Sequence, residues 1–299
     1  MSSEQNAELM RRVSERMQTP LVRFQPALGG YTSALRGIAA FADGRTAFVK
    51  AATSEQTAGW LRTEYVVYCH LNSCGADFLP AVQAWDDDGS LPVLLLEDLS
   101  DAHWPPPWTP EQIGQVSETL SRLRAMPLMP GMSLLETYRE DFSGWRKVAA
   151  NPAAFLALGL CSPAWLAVSL PTLQAAEASA VLAGSDFLHL DLRSDNICFA
   201  RGRAILVDWN WACAGNGQFD LASWLPSLHA EGGPLPETLL PDAPEMAAAL
   251  SGFWAAQSGS HAPGSRLQSL NLRQLQSALP WACQALGLPP CNLSVPAVS

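Results

Sequence analysis

Between residues 100 and 110 the chain reads SDAHWPPPWTP. Consecutive prolines have no amide hydrogen and a fixed φ, so neither a helix nor a sheet ladder runs through them, and the segment stiffens into a linker. It divides two differently patterned stretches. Ahead of it, LVRFQPALGGYTSALRGIAAFADGRTAFVKAA (21–52) reads as extended chain with a hairpin turn at Asp43-Gly44. SEQTAGWLRTEYVVYCHL (54–71) has helical spacing at Trp60, Glu64, Val67 and Leu71, and FLPAVQAWDDDGSLPVLLLEDL (78–99) forms a second hairpin turning at Asp87-Asp88-Gly89. Residues 4–17 form a short amphipathic helix with Leu9, Met10, Val13 and Met17 on one side. Strands, one helix and strands again, joined by hairpins, predict a small antiparallel sheet with a helix against it and not a parallel dinucleotide-binding sheet.

Beyond the linker, Thr109-Pro110-Glu111-Gln112 is a capping box with proline at the first helical position, and the helix it starts buries Ile113, Val116, Leu120 and Leu123. Helical patterns follow over 132–148, 163–183, 220–231, 243–257 and 265–287. The exception is 186–208, where FLHL and AILVD read as short strands. The fold class is therefore α+β, with a sheet-bearing part over 1–98 and a larger, mainly helical part over 99–299 that carries one polar β-loop.

Charge narrows the partners. A net charge of −10 over 299 residues argues against nucleic acid, which demands clustered Lys and Arg, and suits a neutral or cationic small substrate. Lys50 and Lys147 are the only lysines, which singles out Lys50, at the end of the strand AFVK, for chemistry that arginine cannot supply. Seven cysteines, odd in number and without a CxxC pair, suit reduced thiols in a cytoplasmic protein. The first twenty residues contain no apolar signal core. The uncharged run AAFLALGLCSPAWLAVSL (153–170) is interrupted at Ser162-Pro163, so two buried helices are expected there and no membrane span.

The densest polar cluster is HLDLRSDN (189–196), followed by ILVDWNW (205–211). Such groups are costly to bury unless paired or bound to a metal. Asp191 and Asn196 lie five apart in a loop leaving one short strand, and Asp208 ends another, seventeen residues past Asp191. Two strands joined by a tight turn bring these oxygens together. A carboxylate and an amide suit Mg²⁺, which takes few protein ligands and shares the rest with phosphates and water. An acid outside that set is placed to accept a proton from a substrate hydroxyl.

The pattern HLDLRSDN…VDW resembles the H-x-D-x-x-x-x-N…D-[WF] signature of aminoglycoside phosphotransferases, choline kinases and related small-molecule kinases, which are built like protein kinases. The resemblance covers most of the chain: AFVK, a helix with a central Glu, a VLLLEDL hinge and a helical part follow in order. It implies an ATP- or GTP-dependent, Mg²⁺-requiring transfer to a hydroxyl of a small molecule, such as an aminoglycoside or other antibiotic, a sugar or an amino alcohol. Asp191 would be the catalytic carboxylate, Arg193 a clamp on the transferring phosphoryl, and Asn196 and Asp208 the metal ligands. Lys50 would contact the nucleotide phosphates and pair with Glu64, or alternatively with Glu55. Backbone amides of LGGYTSA (28–34), with the hydroxyls of Thr32 and Ser33, would cover the phosphates, and the hinge backbone over Glu97–Leu99 would hold the base. No activation segment separates Asp208 from FDLA, which points to small molecules and not protein substrates.

Several neighbours carry narrower expectations. His189 hydrogen-bonds its own loop, and Asp220 opens a helix as its N-cap and braces that loop. Leu190 stands where many small-molecule kinases place Gly. Trp209 and Trp211 are either core or pocket wall. Glu231, Asp242 and Glu245 are available to amines of an acceptor. Two rivals stand beside the kinase: a catalytically silent nucleotide-binding protein, and a metal-dependent hydrolase using His189, Asp191 and Asp195.

Overall fold

The computed structural model describes residues 3–27 and 33–291, with side chains from residue 7 onward. The chain opens with α1 (Ser3–Met17), then β1 (Leu21–Pro26), β2 (Leu35–Phe41), β3 (Thr46–Ala51), α2 (Glu55–Ser73), β4 (Val82–Asp86) and β5 (Val93–Leu96). The strands form one antiparallel sheet in the order β1-β2-β3-β5-β4. Both predicted hairpins form, and each turns on a glycine in the left-handed region, Gly44 at φ +85° and Gly89 at φ +89°. Strand alternation sorts the residues: Ala47, Val49 and Ala51 pack with Ala39, Phe41, Val93 and Leu95 against Leu9, Val13 and Met17 of α1. Arg12 and Arg16 clamp α1 to the sheet through the buried carboxylate of Asp86, at 2.5 and 2.6 Å. Lys50, between Val49 and Ala51, is directed to the other face, where α2 lies.

After the linker, α3 (Pro110–Arg124) starts on the Thr109–Gln112 capping box as expected. The helix expected over 132–148 is broken instead. A 3-10 turn spans Leu135–Tyr138, and α4 (Gly144–Ala150) begins afresh at a glycine. A backbone bond from Ala214 N–H to the Ser133 carbonyl (2.8 Å) draws the preceding residues into extended chain, a pairing no local pattern announces. Then come α5 (Pro152–Leu156) and α6 (Pro163–Ser179), divided at Ser162, which caps α6 through Trp165 N–H at 3.1 Å. Among the described residues no helix is long and apolar enough to cross a membrane.

The polar segment follows with β6 (Asp186–Leu188), β7 (Ile197–Ala200), β8 (Arg203–Leu206) and β9 (Cys213–Gly215). FLHL and AILVD do not pair with each other: β6 pairs with β9 and β7 with β8. The chain ends in α7 (Gln218–Ala230), α8 (Pro236–Leu239), α9 (Pro244–Ser260) and α10 (Arg266–Ala285).

These elements form two compact units. One comprises residues 1–104 with 195–212, the other 105–194 with 213–299. Helix α9 is the hub of the second unit, packed against α4, α6 and α10 with small residues Ala247, Ala248, Ala249, Ser251 and Gly252 buried. At the α4–α9 crossing Gly144 meets the Gly252 backbone so closely that a Cβ on either would collide. Ser143 makes no side-chain cap for α4; the buried Glu177 of α6 does so, accepting from the N–H groups of Trp145 (2.8 Å) and Arg146 (3.2 Å).

Candidate active site

The first unit carries a buried ionic cluster. Lys50 is 6% exposed at the end of β3, and its Nζ lies 2.6 Å from Glu64 Oε1 and 3.0 Å from Asp208 Oδ1. Glu64 reaches it because α2 buries a helical stripe of Ala58, Leu61, Glu64, Tyr68 and Leu71. Glu55 lies exposed in the first turn of that helix, so the ion pair forms with Glu64. Burial pushes the Lys50 ammonium toward losing its proton, but the carboxylates of Asp208 and Glu64 outweigh it and hold the pKa above the ordinary lysine value. Tyr68, buried beside the same carboxylates, has its phenol pushed well up, chiefly by burial.

Asp208 follows β8 with φ +71°, a backbone conformation that side chains adopt only when neighbours fix it. Its second oxygen faces Arg36 Nη2 at 3.9 Å. Asn210, with its amide nitrogen turned toward Asp208, donates to Oδ1 at 3.1 Å and accepts from the Trp211 indole at 3.1 Å. Trp209 is core: fully buried, packed on Phe78 and bonded to the Leu206 carbonyl at 3.0 Å. Trp211 is 39% exposed and leans on Trp60. Asn196 is buried in the 3-10 turn before β7, its carbonyl accepting Val207 N–H at 3.0 Å.

The hinge is pinned by its edges. Glu97 N–H donates to the Ala81 carbonyl (2.8 Å), and its carboxylate accepts from Ala81 N–H (3.1 Å) and Arg201 (3.0 Å). The Leu99 carbonyl accepts from Ala102 N–H and the Trp104 indole. Among the described residues nothing bonds to the Glu97 carbonyl or the Leu99 amide. Ser33 is exposed, with its carbonyl bonded to Thr53 Oγ1 at 2.8 Å; Thr32 and the loop before it lie outside the described residues.

The second unit carries the other polar residues. Asp220 is not an N-cap, because α7 is capped by Gly217 and Asp220 sits in its first turn, buried. Its carboxylate accepts the N–H groups of His189 (2.7 Å) and Leu190 (2.8 Å), so it does brace the loop. Burial pushes its pKa up, while those two N–H groups pull it back. Leu190 takes φ +67°, the left-handed geometry that explains why glycine suits this position. His189 Nδ1 accepts Asp191 N–H at 3.3 Å, and Arg193 Nη1 holds Asp191 Oδ1 at 2.7 Å. Glu231 is already engaged, by Ser194 Oγ (2.6 Å) and the Trp108 indole (2.8 Å), whereas Asp242 and Glu245 are exposed.

Sequence reasoning missed Arg36 and the Ser194–Glu231–Trp108 link. Arg36 was within reach, since counting outward from the Asp43-Gly44 turn pairs it with Lys50. The link was not, because it joins residues far apart in the chain.

A sequence model of the phosphotransferase enzyme family matches residues 39–245. The chain belongs to the phosphotransferase enzyme family. Its fold is shared by the GDP and kanamycin complex of APH(2")-IIia (TM-score 0.65, 13% identity, covering 92% of this chain and 98% of that one). A choline/ethanolamine kinase family protein from Mesorhizobium loti is similar at TM-score 0.60 and 14% identity, over 94% of this chain and 98% of its own. An aminoglycoside phosphotransferase from Alicyclobacillus acidocaldarius is similar at TM-score 0.57 and 13% identity, over 92% of this chain and 94% of its own. No curated protein matches the chain by sequence. By its family the protein is a phosphotransferase, and its α+β fold is the one these kinases share.

Proposed function

We propose that this kinase transfers the γ-phosphoryl group of ATP or GTP, with Mg²⁺, to a hydroxyl of a small polar metabolite or antibiotic. The observation that carries this reading is the Lys50–Glu64–Asp208 cluster: a rare lysine, buried and charged, fixed beside a carboxylate that a metal can use. Lys50 binds the phosphates, and Glu64 fixes its direction. The Glu97 carbonyl and Leu99 amide supply one acceptor and one donor to a purine edge. Ser33 and the preceding loop, Thr32 included, cover the phosphates.

Asp208 and Asn196 offer a carboxylate and an amide, both hard oxygen donors. Among the described residues no group of three or more His, Cys, Asp or Glu is placed to hold a metal. That donor set fits Mg²⁺, which keeps water and phosphate in most of its shell, better than a transition metal. When bound, Mg²⁺ neutralises charge on the transferring phosphates. It also leaves little for the hydrolase reading, since His189 Nδ1 already accepts a backbone N–H.

Asp191 accepts the proton of the acceptor hydroxyl as the new P–O bond forms, and Arg193 orients that carboxylate and meets the transferring group. Amines on the acceptor are met by Asp242 and Glu245, Glu231 serving the loop instead. An acidic chain favours such cations. Seven unpaired thiols fit cytoplasmic residence.

The test is nucleotide consumption across a panel of aminoglycosides, sugars and amino alcohols, with Mg²⁺ and with chelator. Acceptor-dependent, Mg²⁺-dependent release of ADP or GDP is expected. Asp191→Asn should lose roughly 10²–10⁴-fold in kcat while nucleotide affinity is kept. Turnover unchanged in that variant would remove Asp191 from its role. Nucleotide binding without turnover on any acceptor would favour the silent scaffold.

A further inference from the structure

Helix α7 grips the segment that carries Asp191 at both of its ends. In the first turn of α7, the Asp220 carboxylate accepts the N–H groups of His189 (2.7 Å) and Leu190 (2.8 Å). Just past the last residue of the helix, Glu231 accepts from Ser194 Oγ at 2.6 Å. Positions 220 and 231 are eleven residues apart, about three turns, so both carboxylates arise from one side of the helix. The helix is a firm base, with Phe219, Ala222, Trp224, Leu225 and Leu228 fully buried. The second anchor is itself braced. Glu231 N–H donates to the Ser227 carbonyl at 3.1 Å, and its other carboxylate oxygen accepts the Trp108 indole at 2.8 Å. Trp108 in turn lies edge-on to the buried Trp224, ring centres 5.4 Å apart.

We propose that Glu231 is a positioning residue for phosphoryl transfer, fixing through Ser194 the exit of the loop that presents Asp191 and Arg193. This rests on the reading of Asp191 as the catalytic carboxylate. Asp220 fixes the entry to the loop, and Asp191 and Arg193 lie between the two anchors. The restraint passes from Ser194 to its neighbour Arg193, whose Nη1 holds Asp191 Oδ1 at 2.7 Å. A hydroxyl donating to a carboxylate is a charge-assisted bond, short and strong enough to hold a turn in place. Misplacing a reacting group by about 1 Å costs on the order of 10²-fold in rate, so the anchor acts on turnover and not on nucleotide binding.

The test compares the wild-type chain with Glu231→Ala, Ser194→Ala, Ser194→Thr and the double alanine variant. Turnover is measured with Mg²⁺ and ATP on the most active acceptor among aminoglycosides, sugars and amino alcohols, beside ATP binding and amide hydrogen exchange. Both single alanine variants should lose about tenfold to hundredfold in kcat, keep ATP affinity and acceptor KM within about twofold, and exchange faster over 191–196. The double variant should be no slower than Glu231→Ala, since both changes remove one bond, and Ser194→Thr should recover part of the loss. A raised acceptor KM with unchanged kcat in Glu231→Ala would make Glu231 an acceptor-binding residue and overturn the proposal. Wild-type exchange over 191–196 in that variant would overturn it too, as would an ATP affinity falling in step with kcat, which marks a folding defect. A wild-type chain without turnover on any acceptor ends the phosphotransfer reading and the proposal with it; an active wild type matched by Glu231→Ala ends the proposal alone.

Discussion

Leu190 offers a test in which two contributions have opposite signs. Its φ of +67° costs an L-residue about 1–2 kcal/mol. Glycine at this position removes that cost, adds about 0.5–1 kcal/mol of chain entropy, and gives up about 1 kcal/mol from a half-buried leucine. Leu190→Gly should therefore fall within about 1 kcal/mol of the wild type. Leu190→Ile keeps the apolar surface but places a β-branched side chain at positive φ, where such residues are true outliers. The glycine variant should then be the more stable of the two by about 1 kcal/mol or more. Burial alone predicts the reverse order by a similar margin. Urea unfolding followed by tryptophan fluorescence ranks them. An isoleucine variant more stable than the glycine one would refute the claim that Asp220, by binding the N–H groups of His189 and Leu190, holds this loop in a left-handed turn.

Lys50→Met leaves the Glu64 carboxylate buried without its cation and should cost about 3–5 kcal/mol in thermal or urea melts, most of it recovered by Lys50→Met with Glu64→Leu; a double variant no better than the single one contradicts the pairing. Glu177 has its carboxyl pushed up to about 7 by burial, against the N–H groups of Trp145, Arg146 and Gly144. An acid with a raised folded pKa stabilises fully below its unfolded value of 4.5 and loses that contribution as pH rises through 7, so stability should fall by at most about 3 kcal/mol over that window. Glu177→Gln should flatten the slope, and a slope unchanged in that variant would place the titration elsewhere. Under iodoacetamide, exposed Cys69 should be labelled in the native chain, while buried Cys198 and Cys213, both pushed up to about 12 by burial, should react only after unfolding, as peptide mapping would show.

Lys50, Asp191, Asn196 and Asp208 could be nominated from the sequence because their chemistry is carried by residue type and order along the chain, and of these the structure brings Lys50 to Asp208. The two hairpins were legible because Asp-Gly turns sit between apolar runs, and α3 because its cap and its proline are adjacent in sequence. The choice between Glu55 and Glu64 was not, since helical phase alone does not say which turn faces the sheet. Strands β7 and β9, four and three residues long, are too short to show a period. Asp220 was legible as the brace of the His189 loop but not as a first-turn residue, since α7 starts at Gly217 without a side-chain cap to announce it.

By itself the sequence determined the two hairpins, the start of α3 and the interruption of regular structure at the proline run, and it nominated the polar side chains, all consequences of short-range sterics and intrinsic chemistry. Tertiary structure decided which carboxylate meets Lys50, that Arg36 stands beside it, and that Leu190 is held at positive φ. Those outcomes depend on burial and on hydrogen bonds between distant residues, and their energies exist only once the chain has closed around them.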